Sequence, residues 1–176
     1  MDKNRASSRV RVRKPVISDM ENFLRAVRRS RKLHRGLVTP PADAEKFRAY
    51  LRSVKKQNQE GFLVIDEQSD DIAGVINVNE IVRGAFQSAY LGYYGFLPHA
   101  GQGLMREGLT KVIKTCFTEL KLHRLEANIQ PVNARSIDLV RSLGFRLEGR
   151  SPAYLKVCGK WRDHERWAVL AGEWTP

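Results

Sequence analysis

The segment at residues 89–106, AYLGYYGFLPHAGQGLMR, has the composition of a phosphate-binding turn. An apolar strand pattern ends at Pro98, the glycine turn Gly101-Gln102-Gly103 follows, and apolar residues at helical spacing begin at Leu104. The first turn of a helix carries backbone N–H groups without intrahelical partners, which attract anions, and glycine lets the main chain approach closely. The spacing therefore predicts an anion site at residues 101–106, although a strand-to-helix connection without a ligand has the same pattern.

Two other phosphate-binding loops are excluded by the residues around this turn. No Lys-Ser or Lys-Thr pair follows Gly103, so the turn differs from the loop that binds nucleoside triphosphates. The third glycine of the dinucleotide-binding fingerprint is also missing. The anion is therefore expected to belong to another class of ligand.

Alternation and helical spacing of apolar residues predict the elements that position this turn. Strands stand before and after helices, which is the order of an α+β or mixed three-layer domain. Asn133 is a good N-cap for the last helix, and Gly144 follows the end of that helix. The predicted strands occupy residues 9–15, 62–65, 73–82, 87–97, 123–129, 145–157 and 161–171, with helices beginning near Asp19, Asp43, Leu104 and Asn133.

Several motifs in one order resemble the GNAT N-acetyltransferases. The glycine turn resembles their acyl-coenzyme A pyrophosphate loop, and residues 123–145, HRLEANIQPVNARSIDLVRSLGF, resemble the second half of the RimJ/RimL group. Residues 79–86, NEIVRGAF, and 159–164, GKWRDH, resemble the RimJ branch. The resemblance is dense from Gly74 onward. It implies a central, mixed and mostly antiparallel sheet of six to seven strands, flanked by helices and splayed between the fourth and fifth strands, in one domain over residues 1–176.

The resemblance also implies an activity. Such enzymes move an acetyl group from acetyl-CoA to a primary amine by direct attack, and the RimJ branch points to the N-terminal α-amine of a ribosomal protein. Keeping an α-amine neutral at pH 7 costs roughly 1 kcal/mol, whereas a lysine amine costs roughly 4.6 kcal/mol. A site with one modest base therefore favours an α-amine. A small-molecule amine as acceptor, or a ribosome-associated assembly factor with little activity, are the alternatives.

The catalytic residues are expected by the same resemblance. Glu126 is the first candidate for the base, acting through water, and Glu80 is the second. Ser136 is the best proton donor near the sulfur, because Val140 stands where some relatives have a tyrosine. The alternatives are a surface ion pair for Glu126, a solvent-facing Glu80, and a local backbone hydrogen bond for Ser136.

The cofactor-binding residues follow from the family pattern. A β-bulge is expected to turn the backbone of Phe96 and Leu97 toward the pantetheine arm and the thioester. Ala100 and Met105 depart from the loop pattern, so backbone amides rather than side chains are expected to bind the phosphates. The full expected set is Phe96, Leu97, Gly101, Gln102, Gly103, Leu104, Met105, Arg106, Asn133 and Ser136.

Residues from two segments are expected on the acceptor side. His34 and Leu37 lie in the family's loop between the first two helices, and Trp161 and Asp163 lie in the RimJ-like segment, where Arg162 and His164 are expected to face the same slot. Strand pairing or a turn is the alternative for Asp163 and His164. No metal is expected at the site.

Charge along the chain is uneven. The net charge is +12, and residues 1–35 carry twelve Lys/Arg against three Asp/Glu. This basic N-terminal face would favour contact with a polyanion such as the ribosome, although a solvated helix face and a flexible basic tail at residues 1–8 explain it equally. Without a long apolar run or a secretory signal, a cytoplasmic protein is expected. Cys116 and Cys158 are expected to be buried free thiols, and the oligomeric state stays open.

Overall fold

The computed structural model describes residues 8–175, so the predicted tail at residues 1–8 lies outside the described residues except for Ser8. The strands are β1 (Val10–Arg13), β2 (Glu60–Asp66), β3 (Ile72–Val82), β4 (Ser88–Gly95), β5 (Arg124–Ile129), β6 (Arg146–Val157) and β7 (Lys160–Leu170). The helices are α1 (Met20–Arg29), α2 (Arg31–His34), α3 (Ala44–Ser53), α4 (Leu104–Thr118) and α5 (Ala134–Ser142).

The seven strands form one sheet in the order β1-β2-β3-β4-β5-β7-β6. Every neighbouring pair is antiparallel except β4 and β5, which run parallel. The predicted mixed, mostly antiparallel α+β sheet is confirmed.

The sheet opens between β4 and β5. The two strands pair only from Ser88 opposite Arg124 to Tyr90 opposite Glu126. Beyond this point β4 continues to Gly95 and β5 continues to Ile129, but the two strands no longer pair with each other. The predicted splay is therefore present, and it leaves a cleft inside the sheet.

Two apolar clusters hold the layers together. On one face of the sheet, α4 and α5 pack through fully or almost fully buried residues that include Leu109, Ile113 and Val140. On the other face, α1 and α3 pack around Phe23 and Phe47, whose ring centroids are 4.8 Å apart. Burial of this kind contributes about 1.5–3 kcal/mol for each large apolar side chain. Packing on both faces therefore stabilises the sheet that contains the cleft.

Capping residues close the N-termini of α3 and α5 and the C-terminus of α5. The Asp43 carboxylate accepts a hydrogen bond from the Lys46 amide at 2.8 Å, which satisfies one free N–H group of α3. Asn133 caps α5 in the same way through the Ser136 amide. Gly144, directly after α5, has a φ of 84°, a left-handed conformation that glycine adopts without steric cost.

The two cysteines differ in exposure. Cys116 lies buried on α4, and burial raises the pKa of its thiol to about 12. Cys158 is exposed, so the prediction that it is buried was wrong. The physical reason is that Cys158 and Gly159, with φ values of 49° and 79°, form the two-residue turn between β6 and β7.

Within residues 8–175, no helix is long and apolar enough to cross a membrane.

Candidate active site

The glycine turn forms an open helix N-terminus. Gly101 and Gly103 have φ values of 84° and 83°, and Gly103 is the N-cap of α4. The Gln102 amide donates to the carbonyl of His99 at 3.3 Å, which closes the turn. Among the described residues, the N–H groups of positions 103–106 have no hydrogen-bond partner, because the first bond into the helix is from Glu107 to Gly103.

The side chains of this turn point away from an anion. Leu104 is buried in the core, and the Met105 thioether lies against Gly74 and Gly95. A Cβ atom on Gly74 would approach Met105 Sδ to 2.2 Å, so a glycine is needed there. Arg106 is exposed, and its Nη2 atom lies 3.4 Å from the carbonyl oxygen of Ser142. The free amides are therefore the donors that fit a pyrophosphate.

A cavity of about 150 Å³ fills the gap between β4 and β5. Its walls come from both strands, from the start of α5, from β7, and from the loop after α2. The lining residues are 37–38, 91–93, 128–130, Asn133, Ser136 and His164. No carboxylate is among these residues of the described chain, and within residues 8–175 no group of His, Cys, Asp and Glu is arranged to hold a metal ion.

The backbone of β4 faces this cavity at Tyr93. The Phe96 amide bonds to the Ala73 carbonyl of the neighbouring β3 at 2.8 Å. Successive residues of a strand direct their backbone groups to alternate sides. The amide of Leu97 accordingly points away from β3, and the same alternation points the N–H and C=O groups of Tyr93 into the cleft.

The predicted bulge at the end of β4 is absent from the described ladder. The β3–β4 register is continuous from Asn79 opposite Tyr90 to Gly74 opposite Gly95. As the ladder stays regular, the Phe96 amide remains within the sheet, and the Leu97 amide donates to Ser30 Oγ at 2.9 Å. Their N–H groups are therefore occupied.

Ser136 is held with its hydroxyl hydrogen free. Asn133 Nδ2 donates to Ser136 Oγ at 3.0 Å, so the oxygen is an acceptor in that bond. The Tyr93 hydroxyl donates to the Ser136 carbonyl at 3.2 Å, and burial raises the pKa of Tyr93 far above its ordinary value. Tyr93 is thus a neutral tether, and the Ser136 hydroxyl can donate into the cleft.

The two predicted carboxylates lie outside the lining of the cleft. Glu126 is on β5, where its Oε1 atom accepts a hydrogen bond from Arg124 Nε at 2.7 Å, and its side chain is 13% exposed. Glu80 is exposed in the irregular part of β3, with a φ of 49°, and it lies 3.3 Å from Asn58 Nδ2. Their catalytic roles stay predictions.

His34 is the last residue of α2, and Leu37 lies in the loop that follows it, residues 35–43, which we call the acceptor loop. His34 Nε2 donates to the Gly95 carbonyl at 2.8 Å, its Nδ1 atom is buried without a partner, and burial lowers its pKa. Leu37 lines the cleft. Gln130 holds the intervening Gly36 by a hydrogen bond of 3.0 Å from its Nε2 atom to the Gly36 carbonyl.

The RimJ-like segment at residues 159–164 contributes one of its expected residues to the cleft. Trp161 is 64% exposed, and Asp163 accepts a hydrogen bond from the Ala153 amide at 3.0 Å, so neither lines the cleft. His164 lines it instead. Side chains of a β-strand alternate between its two faces. Asp163 and His164 are adjacent in β7, so they point to opposite faces, and only His164 reaches the cleft.

A model of the GNAT acetyltransferase domain matches residues 9–146. The [ribosomal protein uS5]-alanine N-acetyltransferase of Escherichia coli is 38% identical over 134 residues, which cover 74% of this chain and 69% of that protein.

Solved structures agree with this match. The Mycobacterium smegmatis RimJ structure in complex with CoA-disulfide has a TM-score of 0.85 and 25% identity, over 93% of this chain and 83% of that one. A Vibrio cholerae spermidine N-acetyltransferase in complex with CoA and spermine has a TM-score of 0.80 at 20% identity, over 95% and 98% of the two chains, which shows a shared fold. The free amides at the start of α4 and the cleft in the sheet fit the cofactor of this family. The chain therefore belongs to the GNAT family and is an acetyl-CoA-dependent N-acetyltransferase related to the RimJ/RimL enzymes.

Proposed function

We propose that this enzyme acetylates the N-terminal α-amine of a protein, and that a ribosomal protein is its acceptor. The observation that carries the proposal is the charge around the cleft: no carboxylate lines it in the described chain, and a basic surface lies next to its acceptor loop. The likeness to a uS5-alanine N-acetyltransferase supports the same acceptor.

The basic surface belongs to α1 and α2. It consists of Arg25, Arg28, Arg29, Arg31, Lys32 and Arg35, which are all exposed, and within residues 8–175 none of them forms an ion pair. The cations of the first strand are different. Arg11 is paired with Asp70 and Arg13 with Asp19, so their charge is locally balanced. Among the described residues, the α1–α2 basic surface is therefore unpaired positive charge that is available to a polyanion.

This distribution favours one of two kinds of acceptor. A polyamine carries several positive charges, and a net charge of +12 repels it. A ribosome presents phosphates, which attract the same surface and increase the encounter rate. A protein N-terminus offered on the ribosome is consequently a better match than spermidine. The proposal places the reaction in the cytoplasm, where ribosomes are found.

The residues around the cleft have separate roles in binding the cofactor and in the reaction. The amides of residues 103–106 bind the pyrophosphate of the cofactor, and Asn133 binds its pantetheine arm. The backbone N–H of Tyr93 donates to the acetyl carbonyl oxygen, and the Ser136 hydroxyl donates to the sulfur. When bound, acetyl-CoA supplies the thioester whose C–S bond breaks as the acceptor nitrogen forms a C–N bond.

The acceptor amine must lose a proton in the same reaction. The family pattern gives Glu126 as the first candidate for the base, with Glu80 as the second candidate. Glu126 lies on the same strand face as Asn128 and Gln130 of the cleft, because these residues alternate with buried Ala127 and Ile129. As a base Glu126 would act through a water molecule, since it does not itself line the cavity.

Intact-mass analysis tests the acceptor. Purified ribosomal proteins, synthetic peptides with their N-terminal sequences, and spermidine are each incubated with the enzyme and acetyl-CoA. The expected result is one added acetyl group on an α-amine, with release of free thiol. Faster acetylation of spermidine would overturn the choice of acceptor. Salt-sensitive sedimentation with ribosomes, without turnover of any amine, would favour an assembly factor.

A further inference from the structure

We propose that His164 is the base that accepts the proton of the acceptor amine. The inference rests on the proposed function and names the residue at the centre of its cleft. It is carried by three properties of the His164 ring: its position in the lining of the cavity, its tautomer, and the lack of a competing proton acceptor.

The hydrogen bond of the ring determines its tautomer. His164 Nδ1 lies 2.9 Å from the carbonyl oxygen of Arg162, and a carbonyl oxygen can only accept. Nδ1 of the neutral ring therefore carries the hydrogen, and Nε2 carries the lone pair. His164 is 3% exposed, so the ring is fixed in place by its surroundings. A buried imidazole held at one nitrogen, with the other free to accept, is the arrangement of a general base.

In the part of the chain that the structure describes, residues 8–175, the lining of the cleft offers no other base. Its titratable side chains are Tyr93 and His164. The Tyr93 hydroxyl donates to the Ser136 carbonyl, and Tyr93 has no proton acceptor comparable to an imidazole nitrogen. The remaining polar side chains are amides and a hydroxyl, which are poor bases at neutral pH.

Charged groups around His164 are directed elsewhere. Glu126, which lies on the same face of the neighbouring β5, is bound by Arg124. On β6, Ser151 stands opposite His164 in the register, and the Tyr154 ring centroid lies 6.2 Å from the imidazole.

On β7 itself, Arg162 and Arg166 share the face of His164, and the adjacent carboxylates Asp163 and Glu165 do not. Asp163 accepts from Ala153, and Glu165 accepts from Trp167 Nε1, and both alternate to the opposite face of β7. From the acceptor loop only apolar Leu37 and Val38 reach the cavity. Within residues 8–175, no carboxylate of the cleft lining competes with the His164 ring for the proton.

The proton balance is simple. As the amine nitrogen forms its C–N bond, one N–H bond breaks, and the proton moves to His164 Nε2 to give an imidazolium ion. The thiolate leaving group takes a proton from solvent, with the Ser136 hydroxyl as hydrogen-bond donor. His164 then releases its proton to solvent. Imidazole suits this exchange, because the ordinary pKa of an α-amine, about 7.7–8.0, lies close to that of histidine, about 6.5.

Kinetics of His164→Asn test the proposal. Asparagine keeps a donor near the position of Nδ1 but has no basic nitrogen, so the bond to Arg162 can persist. The expected loss in kcat/KM for an acceptor peptide is on the order of 10²–10⁴-fold. His123→Asn, at an exposed histidine before β5, is the matched control and is expected to retain full activity. Glu126→Gln is measured in parallel.

The pH profile separates a base from a structural residue. If both the amine and a base on the enzyme must lose a proton, log kcat/KM of the unaltered enzyme will rise with pH with a limiting slope of about 2 at low pH. In His164→Asn the slope is expected to stay near 1 throughout. A lost activity with an unchanged slope would mean that His164 only supports the fold, and the proposal would fail.

A second measurement needs neither cofactor nor acceptor. NMR of ring-labelled histidine in the free protein is expected to show one signal, missing in His164→Asn, with the hydrogen on Nδ1 at neutral pH. A hydrogen on Nε2 would overturn the proposal. Full activity in His164→Asn with a large loss in Glu126→Gln would overturn it while leaving the proposed function intact. An unaltered protein that acetylates no amine would overturn both.

Discussion

Gln130 donates a hydrogen bond from Nε2 to the carbonyl oxygen of Gly36, 3.0 Å away and 94 positions earlier in the chain. Gln130 is 8% exposed, and it lies directly after β5, where the sheet has opened. Gly36 has a φ of 77° and precedes the two loop residues that enter the cleft. One side chain thus connects the acceptor loop to the far wall of the cleft.

Replacement of Gln130 by methionine is expected to loosen this loop. Methionine has a similar volume but cannot donate, so the Gly36 carbonyl loses its partner at a cost of about 1–3 kcal/mol. The KM for an acceptor peptide should rise about tenfold or more, while the KM for acetyl-CoA stays unchanged. Steady-state kinetics with each substrate varied in turn measure both. Gln57→Met, at an exposed position, is the control, and an equal rise in both constants would contradict the role of this bond.

Ser136→Ala is expected to lower kcat. The variant removes the hydroxyl that donates to the sulfur, and it also frees Asn133 Nδ2. A loss of about tenfold is expected. This is less than for an oxyanion donor, because a thiol with a pKa of about 8.5 is a good leaving group. Release of free thiol at saturating substrates measures it. Ser142→Ala, at the other end of α5, should keep the kcat of the unaltered enzyme, and an equal loss there would assign the effect to the helix.

Gly103→Ala should weaken cofactor binding. A left-handed φ of 83° costs a non-glycine residue about 1–2 kcal/mol, and a Cβ atom would lie 3.1 Å from Arg9 Nη2. The turn should shift, so the KM for acetyl-CoA should rise while the KM for the acceptor peptide stays unchanged. Gly84→Ala is the matched control, since Gly84 also has a left-handed φ, of 69°, but lies in the β3–β4 turn. Both variants are expected to lose similar thermal stability. A rise in KM for both would show that general destabilisation, rather than the phosphate turn, is responsible.

Charge reversal on the α1–α2 basic surface should reduce ribosome binding. The triple change Arg28→Glu, Arg29→Glu and Arg31→Glu removes three unpaired cations, so the dependence of log affinity on log salt concentration should become shallower. Cosedimentation with ribosomes at several salt concentrations gives the slope. The control is the triple change Arg48→Glu, Lys55→Glu and Lys56→Glu. These residues are exposed in or just after α3, and the change alters the net charge equally. The same slope in both triple variants would show that total charge, and not this surface, governs binding.

His34 should make the fold less stable in mild acid. Burial lowers its pKa below the unfolded value of about 6.5, so the unfolded chain binds a proton more readily than the folded one. The free energy of unfolding should therefore fall as pH drops below about 6.5, and continue to fall until the folded histidine is protonated. Urea denaturation at pH 7.5 and 5.5 measures this difference.

A substitution separates His34 from other groups. In His34→Gln the difference between the two pH values should shrink, since glutamine can donate to Gly95 without titrating. Asp19 and Glu148, whose carboxyl pKa values are lowered mainly by their arginine partners, lose their contribution at lower pH. An unchanged pH difference in His34→Gln would show that His34 is not responsible.

The features that could be predicted from sequence are local. The glycines of the turn and the Asn133 cap act within a few residues, so their spacing is sufficient to predict them. The positions of Tyr93 and His164 depend on which strands pair and where they separate. The Phe96 amide bonds to the Ala73 carbonyl of β3, and the Leu97 amide bonds to Ser30 Oγ, which is 67 positions away in the chain. Side chains that are distant in the chain therefore decide the parts of the site that sequence spacing could not predict.

The gap between β4 and β5 also bears on self-association. An unpaired strand is a template onto which another polypeptide can add, and proteins that leave one exposed risk aggregation. Here the unpaired main chain of β4 faces a cavity of about 150 Å³, closed on one side by Leu37 and Val38. A second polypeptide strand, with side chains on both faces, is too bulky for that space. The open stretch of sheet is thereby reserved for a slender, flexible molecule and is protected from unwanted strand addition.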